Sequence, residues 1–600
     1  MANPATLEKV NKRYNAAKAA RRVIDRDIKL NIAFYTGRQW VTYDPNFCKV
    51  IDWTPPKGKP KSTTNLIRPV VRIEYAKLTR NDPAFKVVAT TADQDDIAKA
   101  KICSQFLEYK WAVDNYDVTC KNALLWALVG GTAFVKVYFD PNAGPTFNGT
   151  PLGDVVLDYC SPLEMFVDPF ARTLDEASWV IHARVRPVEY VEMKYGVKVP
   201  AEQVEGLATA GFGVDGRSTT VNEGMIPATI VKEYWERPNA VNPRGYYAVV
   251  AGNKVLYESE NPYADICPIP FAMMVHIPVP GRLFGDSVVT DLRQINVVYN
   301  KLKGDIIENT SKMTNPPIVA PVGSLLKAPE FTPGEIIYYN PTLPGKLEQF
   351  KPEPYPPQVM NTLIRLLQER DDVSGVNDVS RGIVPRGVRS GDALAHLLEQ
   401  DETRLAVTAR AYENMIAAAM EMVLKLARAF YDVPRVIRIV GSNSQREVAL
   451  FKAEDIPADA DVHVEAGSTL PKSLAQQQQF LLDLWDRQII TDPRLVVRLT
   501  HYGTLQEVFS DVELDASQAQ RENERLRAGV EVPVEDFHNH VIHIAEHNRF
   551  RKTVEFEQLP PERRELFRQH VEAHKQYLQQ ASGGEVNAPQ ENGGSANVSR

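Results

Sequence analysis

The sequence predicts an α+β fold that is mainly helical and built from several subdomains. Three observations lead there. The chain has 600 residues, too many for one ordinary hydrophobic core. Two helices with narrow apolar seams bracket a proline-rich segment, and a much longer helix follows them. Between the N-terminal helices and these three lie several runs of β-branched and aromatic residues separated by turn signals.

Taken in order, residues 5–35 read as one amphipathic helix, with Leu7, Val10, Tyr14, Ala17, Ile24, Ile28, Ile32 and Tyr35 near helical spacing. Its other face carries Lys9, Lys12, Lys18, Arg21, Arg22, Arg26 and Lys29, either a solvated face or one that meets DNA or an acidic partner. A Pro/Lys-rich loop covers 41–64, and helical patterns cover 66–80 and 95–129. Strands are expected at Phe134–Phe139, Val155–Tyr159, Trp179–Val185 and Ile230–Trp235. Tyr246–Val250 and Lys254–Tyr257 flank Gly252-Asn253 as a hairpin.

The middle of the chain is the most informative. Val288, Leu292, Ile295, Tyr299, Leu302 and Ile306 follow one another at steps of 4, 3, 4, 3 and 4. That is a heptad-like seam, suited to a neighbouring helix rather than a broad core. Residues 313–357 hold eleven of the 42 prolines, which excludes helix, though short β runs such as Ile336–Tyr339 fit inside. The second seam follows through Val359, Leu363, Leu366 and Val373. Residues 374–391 are a glycine-rich loop. Ser390 then caps a helix running to just before Pro434, about 60 Å long at ~1.5 Å per residue. Strands are expected at 435–440 and 461–465, helices at 472–489, 494–509, 515–528 and 535–579, and disorder in the low-complexity last twenty residues.

Searching for chemistry mainly removes functions. A net charge of −7 opposes tight DNA gripping, which needs a basic excess, but tolerates a surface that DNA slides past. The five cysteines are scattered without a C-x-x-C pair, so neither a disulfide framework nor a cysteine zinc site is expected. No apolar leader or membrane-length apolar run occurs. There is no G-x-x-x-x-G-K-[ST] phosphate loop. Gly211, Gly213 and Gly216 spell G-x-G-x-x-G without the flanking strand and helix a dinucleotide needs. Asp95/Asp96 and Asp371/Asp372 read as caps and solvated faces. Six of the eleven histidines, His538, His540, His543, His547, His570 and His574, fall in the C-terminal helices. His543/His547 and His570/His574 are i,i+4 pairs, a metal-compatible spacing, but packing or polar contacts between helices are the expected reading and no metal site is assigned. HIAEH is not the metalloprotease H-E-x-x-H.

Several segments resemble the portal proteins of tailed bacteriophages: FYTGRQW (34–40), NLIRPVVRIEYAKLTRNDPAFKV (65–87) and MFVDPFARTLDEASWVIHAR (165–184). SGVNDVSRGIVPRGVRSGDALAHLLEQDETRL (374–405) is the strongest, followed by GSTLPKSLAQQQQ (467–479) and DFHNHVIHIAEHNRF (536–550). The resemblance implies a ring with wing, stem, clip and crown. It assigns 1–285 to N-terminal helices and an α/β wing, 286–312 and 357–373 to the stem, and 313–356 to the clip. The tunnel loop would be 374–391, the wing spine and its β segment 392–469, the crown 470–580, and the tail 581–600.

It further implies a non-enzymatic, cofactor-free subunit of a homo-oligomer, expected to be of twelve chains, at one capsid vertex of the virion, assembled in the host bacterial cytoplasm. Its partners would be double-stranded viral DNA, the terminase large subunit, head–tail adaptor proteins, and major capsid and scaffolding proteins, with no membrane. An acidic ring would repel DNA on average, leaving local contacts to Arg381, Arg386 and Arg389 of the tunnel loop, which could instead pair with a neighbouring subunit. The stem seam is Val288, Leu292, Ile295, Tyr299, Leu302, Ile306, Val359, Leu363 and Leu366. A head–tail adaptor or other virion protein is the alternative, and a metal-dependent hydrolase using the C-terminal histidines a more distant one.

Overall fold

The computed structural model describes residues 4–46, 49–54, 59–88, 94–147, 149–202, 227–314, 318–319, 321–322, 325, 340, 348–349, 353–376, 391–440, 446–456, 461–464, 485, 487 and 510–582. The chain divides into two units, residues 1–471 and 472–600. It mixes helices with antiparallel sheets, an α+β architecture.

In the first unit the expected N-terminal helix is two: α1 (Pro4–Ala20) and α2 (Arg22–Thr36). The break lies at Arg21, which is 3% exposed and donates to the carbonyls of Met165 and Pro162 while pairing with Asp25. The polar-face pattern would leave this arginine in water, but here it is buried on Met165 and Pro162, and the bonds from Arg21 N to Ala17 O and from Asp25 N to Arg21 O carry across a kink. The short strands β1 (Val41–Asp44) and β2 (Lys49–Asp52) pair next. After α3 (Ile67–Leu78) and β3 (Phe85–Val88), the helix expected over 95–129 is also two, α4 (Gln94–Val113) and α5 (Tyr116–Gly130). Asn115 separates them at φ 57°, a left-handed conformation that asparagine tolerates better than most residues.

Two sheets follow. The strands are β4 (Thr132–Asp140), β5 (Asp154–Cys160), β6 (Met165–Val167), β7 (Trp179–Pro187), β8 (Ala228–Glu236), β9 (Tyr246–Ala251), β10 (Lys254–Ser259) and β11 (Phe271–Val275). The five-stranded sheet runs β10-β9-β8-β7-β6 and the three-stranded one β11-β4-β5. The expected hairpin is β9–β10, with a register shift at Val249/Val250.

Alternation with period two gives the five-stranded sheet two apolar faces. Tyr234, Ala248 and Val250 pack with Val10, Tyr14 and Ala17 of α1. Val231, Val249 and Ala251 pack with Val191 of α6 (Val188–Tyr195). The three-stranded sheet faces the main core, shared with α5 and the last half of α9 (Gly391–Phe430). There Tyr412, Ile416, Met420, Val423 and Ala427 are buried at helical spacing. Of the later strands, β12 (Arg435–Val440) pairs with β13 (Arg446–Phe451), and β14 (Asp461–Val464) pairs with the distant β3.

In the second unit the described helices are α10 (Ser510–Arg527), α11 (His540–Phe550) and α12 (Pro561–Ser582), with a single turn at Val554–Glu557. The expected continuous helix over 535–579 is thus interrupted, at Thr553 and before Pro561. The helices expected at 472–489 and 494–509 and the expected tail disorder lie outside the described residues.

Candidate stem helices and channel elements

The first seam belongs to α7 (Val288–Thr314) and the second to α8 (Pro357–Ser374), and the two helices pack against each other. The start of α7 is fixed by close backbone approach. A Cβ on Gly131 would lie 2.6 Å from the Gly285 carbonyl, and Gly131 has φ +85°, so only glycine fits. Ser287 accepts from the Val289 amide at 3.1 Å, and its hydroxyl donates to the Leu128 carbonyl. Asn31 of α2 donates to Val129 O and Thr290 Oγ1 at 3.1 and 3.0 Å.

Along α7 the buried stripe departs from the predicted seam. Val288 and Leu292 are buried as expected. Beyond them the fully buried positions are Asn296, Asn300 and Gly304, in steps of four. Asn296 Oδ1 accepts from Leu66 N at 2.8 Å, and Asn300 Oδ1 accepts from Thr64 N at 2.7 Å. Both side chains also donate to Gln39 Oε1, and Asn300 donates to Thr64 O at 3.2 Å. A Cβ at Gly304 would stand 3.1 Å from Pro60 O, so the missing side chain lets this segment lie on the helix.

A polar ladder therefore fastens α7 to residues 60–66. Ile295, Tyr299, Leu302 and Ile306 are only half-buried on the neighbouring face. In α8, Val359 and Leu363 are half-buried and Leu366 is buried. Met360 and Ile364, one turn apart, are 53% and 54% exposed, and Val297 and Ile307 of α7 are 38% and 44% exposed. Large apolar side chains of this helix pair thus face away from their own chain.

Between the two helices, Ile318–Val319 pairs antiparallel with Glu348–Gln349, and Asn309 donates to Glu353 O at 3.3 Å. The ends of the proline-rich segment are thereby held together. The β run Ile336–Tyr339 lies outside the described residues, as do Arg381, Arg386 and Arg389 and the glycines at 211, 213 and 216.

The basic face of α1 and α2 is largely used within the chain. Lys9 and Arg13 pair with Glu236 at 2.7 and 3.1 Å and lie over the rings of Tyr234, Tyr246 and Trp179. Arg22 donates to Pro45 O, and Arg26 pairs with Asp27. Of the predicted basic face, Lys9, Arg21, Arg22 and Arg26 thus have partners within the chain. Asp371 pairs with Arg370 at 2.6 Å, in keeping with a solvated face.

Between the two sheets lies a charged cluster that the sequence search did not identify. Lys136 pairs with Glu233, Arg184 pairs with Asp158 at 2.5 Å, and His182 sits 3.8 Å from both Glu164 and Glu233. Although burial opposes its ionisation, the Lys136 and His182 charges hold Glu233 well below the usual carboxylate range. The members all pair with one another, which makes this a structural ion network.

A search of curated proteins finds no match to the chain. A family model does match: that of the phage P22-like portal protein, over residues 11–469. The matched span runs from α1 through β14 and contains the α7–α8 pair, the proline-rich segment and α9. The chain therefore belongs to the phage P22-like portal protein family.

Proposed function

We propose that the chain is the portal subunit of a tailed phage, and that copies of it, twelve by family analogy, close a ring at one capsid vertex through which DNA is packaged and ejected. The family is one of structural virion proteins rather than enzymes, and membership implies a homo-oligomeric ring built into the capsid. No described helix is long and apolar enough to cross a membrane. In this reading α7 and α8 form the stem, and residues 313–356 form the clip that docks the terminase large subunit and later head–tail adaptor proteins. Residues 374–391 form the tunnel loop, α9 is the wing spine and 470–580 form the crown. Assembly takes place in the host cytoplasm with capsid and scaffolding proteins.

The observation that carries the reading is the family match, whose span includes a helix pair with apolar side chains left uncovered by its own chain. Exposed Met360, Ile364 and Ile307 on paired helices are what a subunit needs to pack against its neighbours in a ring. Negative-stain microscopy of the purified full chain tests this. Rings with a central hole are expected, and compact monomers under assembly conditions would overturn it. Arg381, Arg386 and Arg389 are proposed to meet the DNA. Changing all three to Ala should leave rings intact but impair packaging or retention of DNA, and normal packaging and retention would remove that role.

A further inference from the structure

The second unit gathers six histidines and one carboxylate among three helices. α10 supplies Glu522 and Asn523, α11 supplies His543 and His547, and α12 supplies His570 and His574. His543, His547 and His574 are fully buried, and Glu522 and His570 nearly so. His547 Nε2 and His570 Nε2 lie 3.5 and 3.3 Å from Glu522 Oε2, and His574 Nε2 lies 3.3 Å from His570 Nε2. These four ligand atoms all fall within 4.8 Å of one another. A tetrahedral ion with bonds of ~2.0–2.1 Å requires ligand atoms about 3.3–3.4 Å apart.

The far side of each ring is equally telling. His570 Nδ1 is 3.0 Å from Val532 O, a carbonyl that can only accept, so the hydrogen sits on Nδ1. His547 Nδ1 is 2.8 Å from Asn523 Oδ1, and His574 Nδ1 is 3.0 Å from His540 Nδ1. With Nδ1 donating outward, His547 and His570 turn their Nε2 lone pairs inward, toward Glu522 Oε2, and His574 turns its own toward His570 when its Nδ1 is the donor to His540. His547 Nε2 is buried without a hydrogen-bond partner. Lone pairs converging with no hydrogen between them repel unless a cation lies among them. Imidazoles whose remote N–H groups are held by acceptors are how proteins orient metal ligands.

We propose that Glu522, His547, His570 and His574 form a structural site for one divalent transition-metal ion of the zinc class. Three imidazoles and a carboxylate suit zinc and give it four protein ligands, leaving no open position for hydrolytic chemistry. His543 Nδ1, 3.1 Å from Glu522 Oε2, donates to the carboxylate and orients it. An adjoining set, Glu522, His538, His543 and His574, also converges, but with His538 Nε2 on Gln518 and His543 Nδ1 on Glu522, the remote nitrogens His538 Nδ1 and His543 Nε2 have no acceptor to orient the rings as ligands. The local apolar cluster is small, centred on Leu526, Leu559 and Phe567, so an ion joining three helices would supply much of what this core lacks.

The test uses the full chain, purified from zinc-supplemented medium and dialysed against metal-free buffer. Elemental analysis should find about one zinc per chain, and Co2+ exchange should give the intense visible bands of a tetrahedral site. A chelator should speed amide exchange in α10, α11 and α12. His547→Gln and His570→Gln should each lower the metal to below ~0.1 per chain, whereas His538→Gln, which belongs only to the adjoining set, should keep it. Folded wild-type chain with less than ~0.1 metal and no cobalt spectrum would overturn the proposal, whatever the variants do. Full metal content in His547→Gln, or its loss only in His538→Gln, would overturn this ligand set.

Discussion

Replacing Glu74 by Gln should stabilise the protein at pH 8. Glu74 lies in α3, is 6% exposed, and leaves its Oε2 buried without a hydrogen-bond partner among the described residues. Burial pushes its carboxyl up from 4.5 to about 7, only partly offset by Lys77 one turn away. Below pH 4.5 the group is protonated in both the folded and unfolded chain and has no effect on stability. Between 4.5 and about 7 the folded state holds a proton that the unfolded state has released, so stability falls as pH rises. Across that interval, at about 1.36 kcal/mol per pH unit, the loss comes to roughly 3 kcal/mol, and above it the loss is constant. Glu74→Gln keeps the shape and removes the ionisation. Thermal midpoints of both proteins at several values between pH 5 and 8 measure the effect, because other titrating groups cancel in the difference. The variant should be the more stable at pH 8, with the gap closing toward pH 5. A gap that is absent at pH 8, or that does not change with pH, would refute the reasoning.

Two further changes test the anchoring of the long helices. Asp154 accepts from Lys110 at 2.7 Å and from Tyr431 at the end of α9, with Arg435 at 3.5 Å, all largely buried. Asp154→Ala removes the acceptor shared by two buried cations, leaving Lys110 with Asp114 alone and Arg435 with the carbonyls of Leu152 and Gly153, and should cost up to about 3 kcal/mol in urea denaturation, with Asp154→Asn costing less. Asn300→Ala removes a buried acceptor and two donor contacts from the ladder beneath α7, a cost of roughly 2–4 kcal/mol. That loss should be accompanied by faster proteolysis near residues 60–66; unchanged cleavage there would mean that the ladder does not hold this segment.

What was legible in the sequence was whatever local periodicity encodes. Six of the eight strands of the two sheets, the hairpin at Gly252-Asn253, and the spans of α7, α8 and α9 follow from spacing over a few residues, whereas β6 and β11 were not expected. What was missed depends on partners far along the chain. The Asn296–Asn300–Gly304 stripe contains no apolar residue, so a hydrophobic seam search passes over it. Its partners lie more than 200 positions away, at Gln39, Thr64 and Leu66. Arg21, read as part of a polar face, is buried on acceptors in the loop at Pro162 and Met165. The histidine pairs were visible as pairs, but Glu522, at their centre, looks like any other acid on a polar helix. The i,i+4 spacing placed each pair on one face without showing that the two faces meet.

The antiparallel pair Ile318–Val319 with Glu348–Gln349 has an evolutionary consequence. It brings the two ends of the intervening stretch together beside the helix pair. Insertions, deletions or wholesale exchange within it need not propagate into the register of α7 against α8, because the helices are already fastened by their own contacts. Under the proposed function, the surface offered to a docking partner can then drift or be traded at a different pace from the ring that carries it.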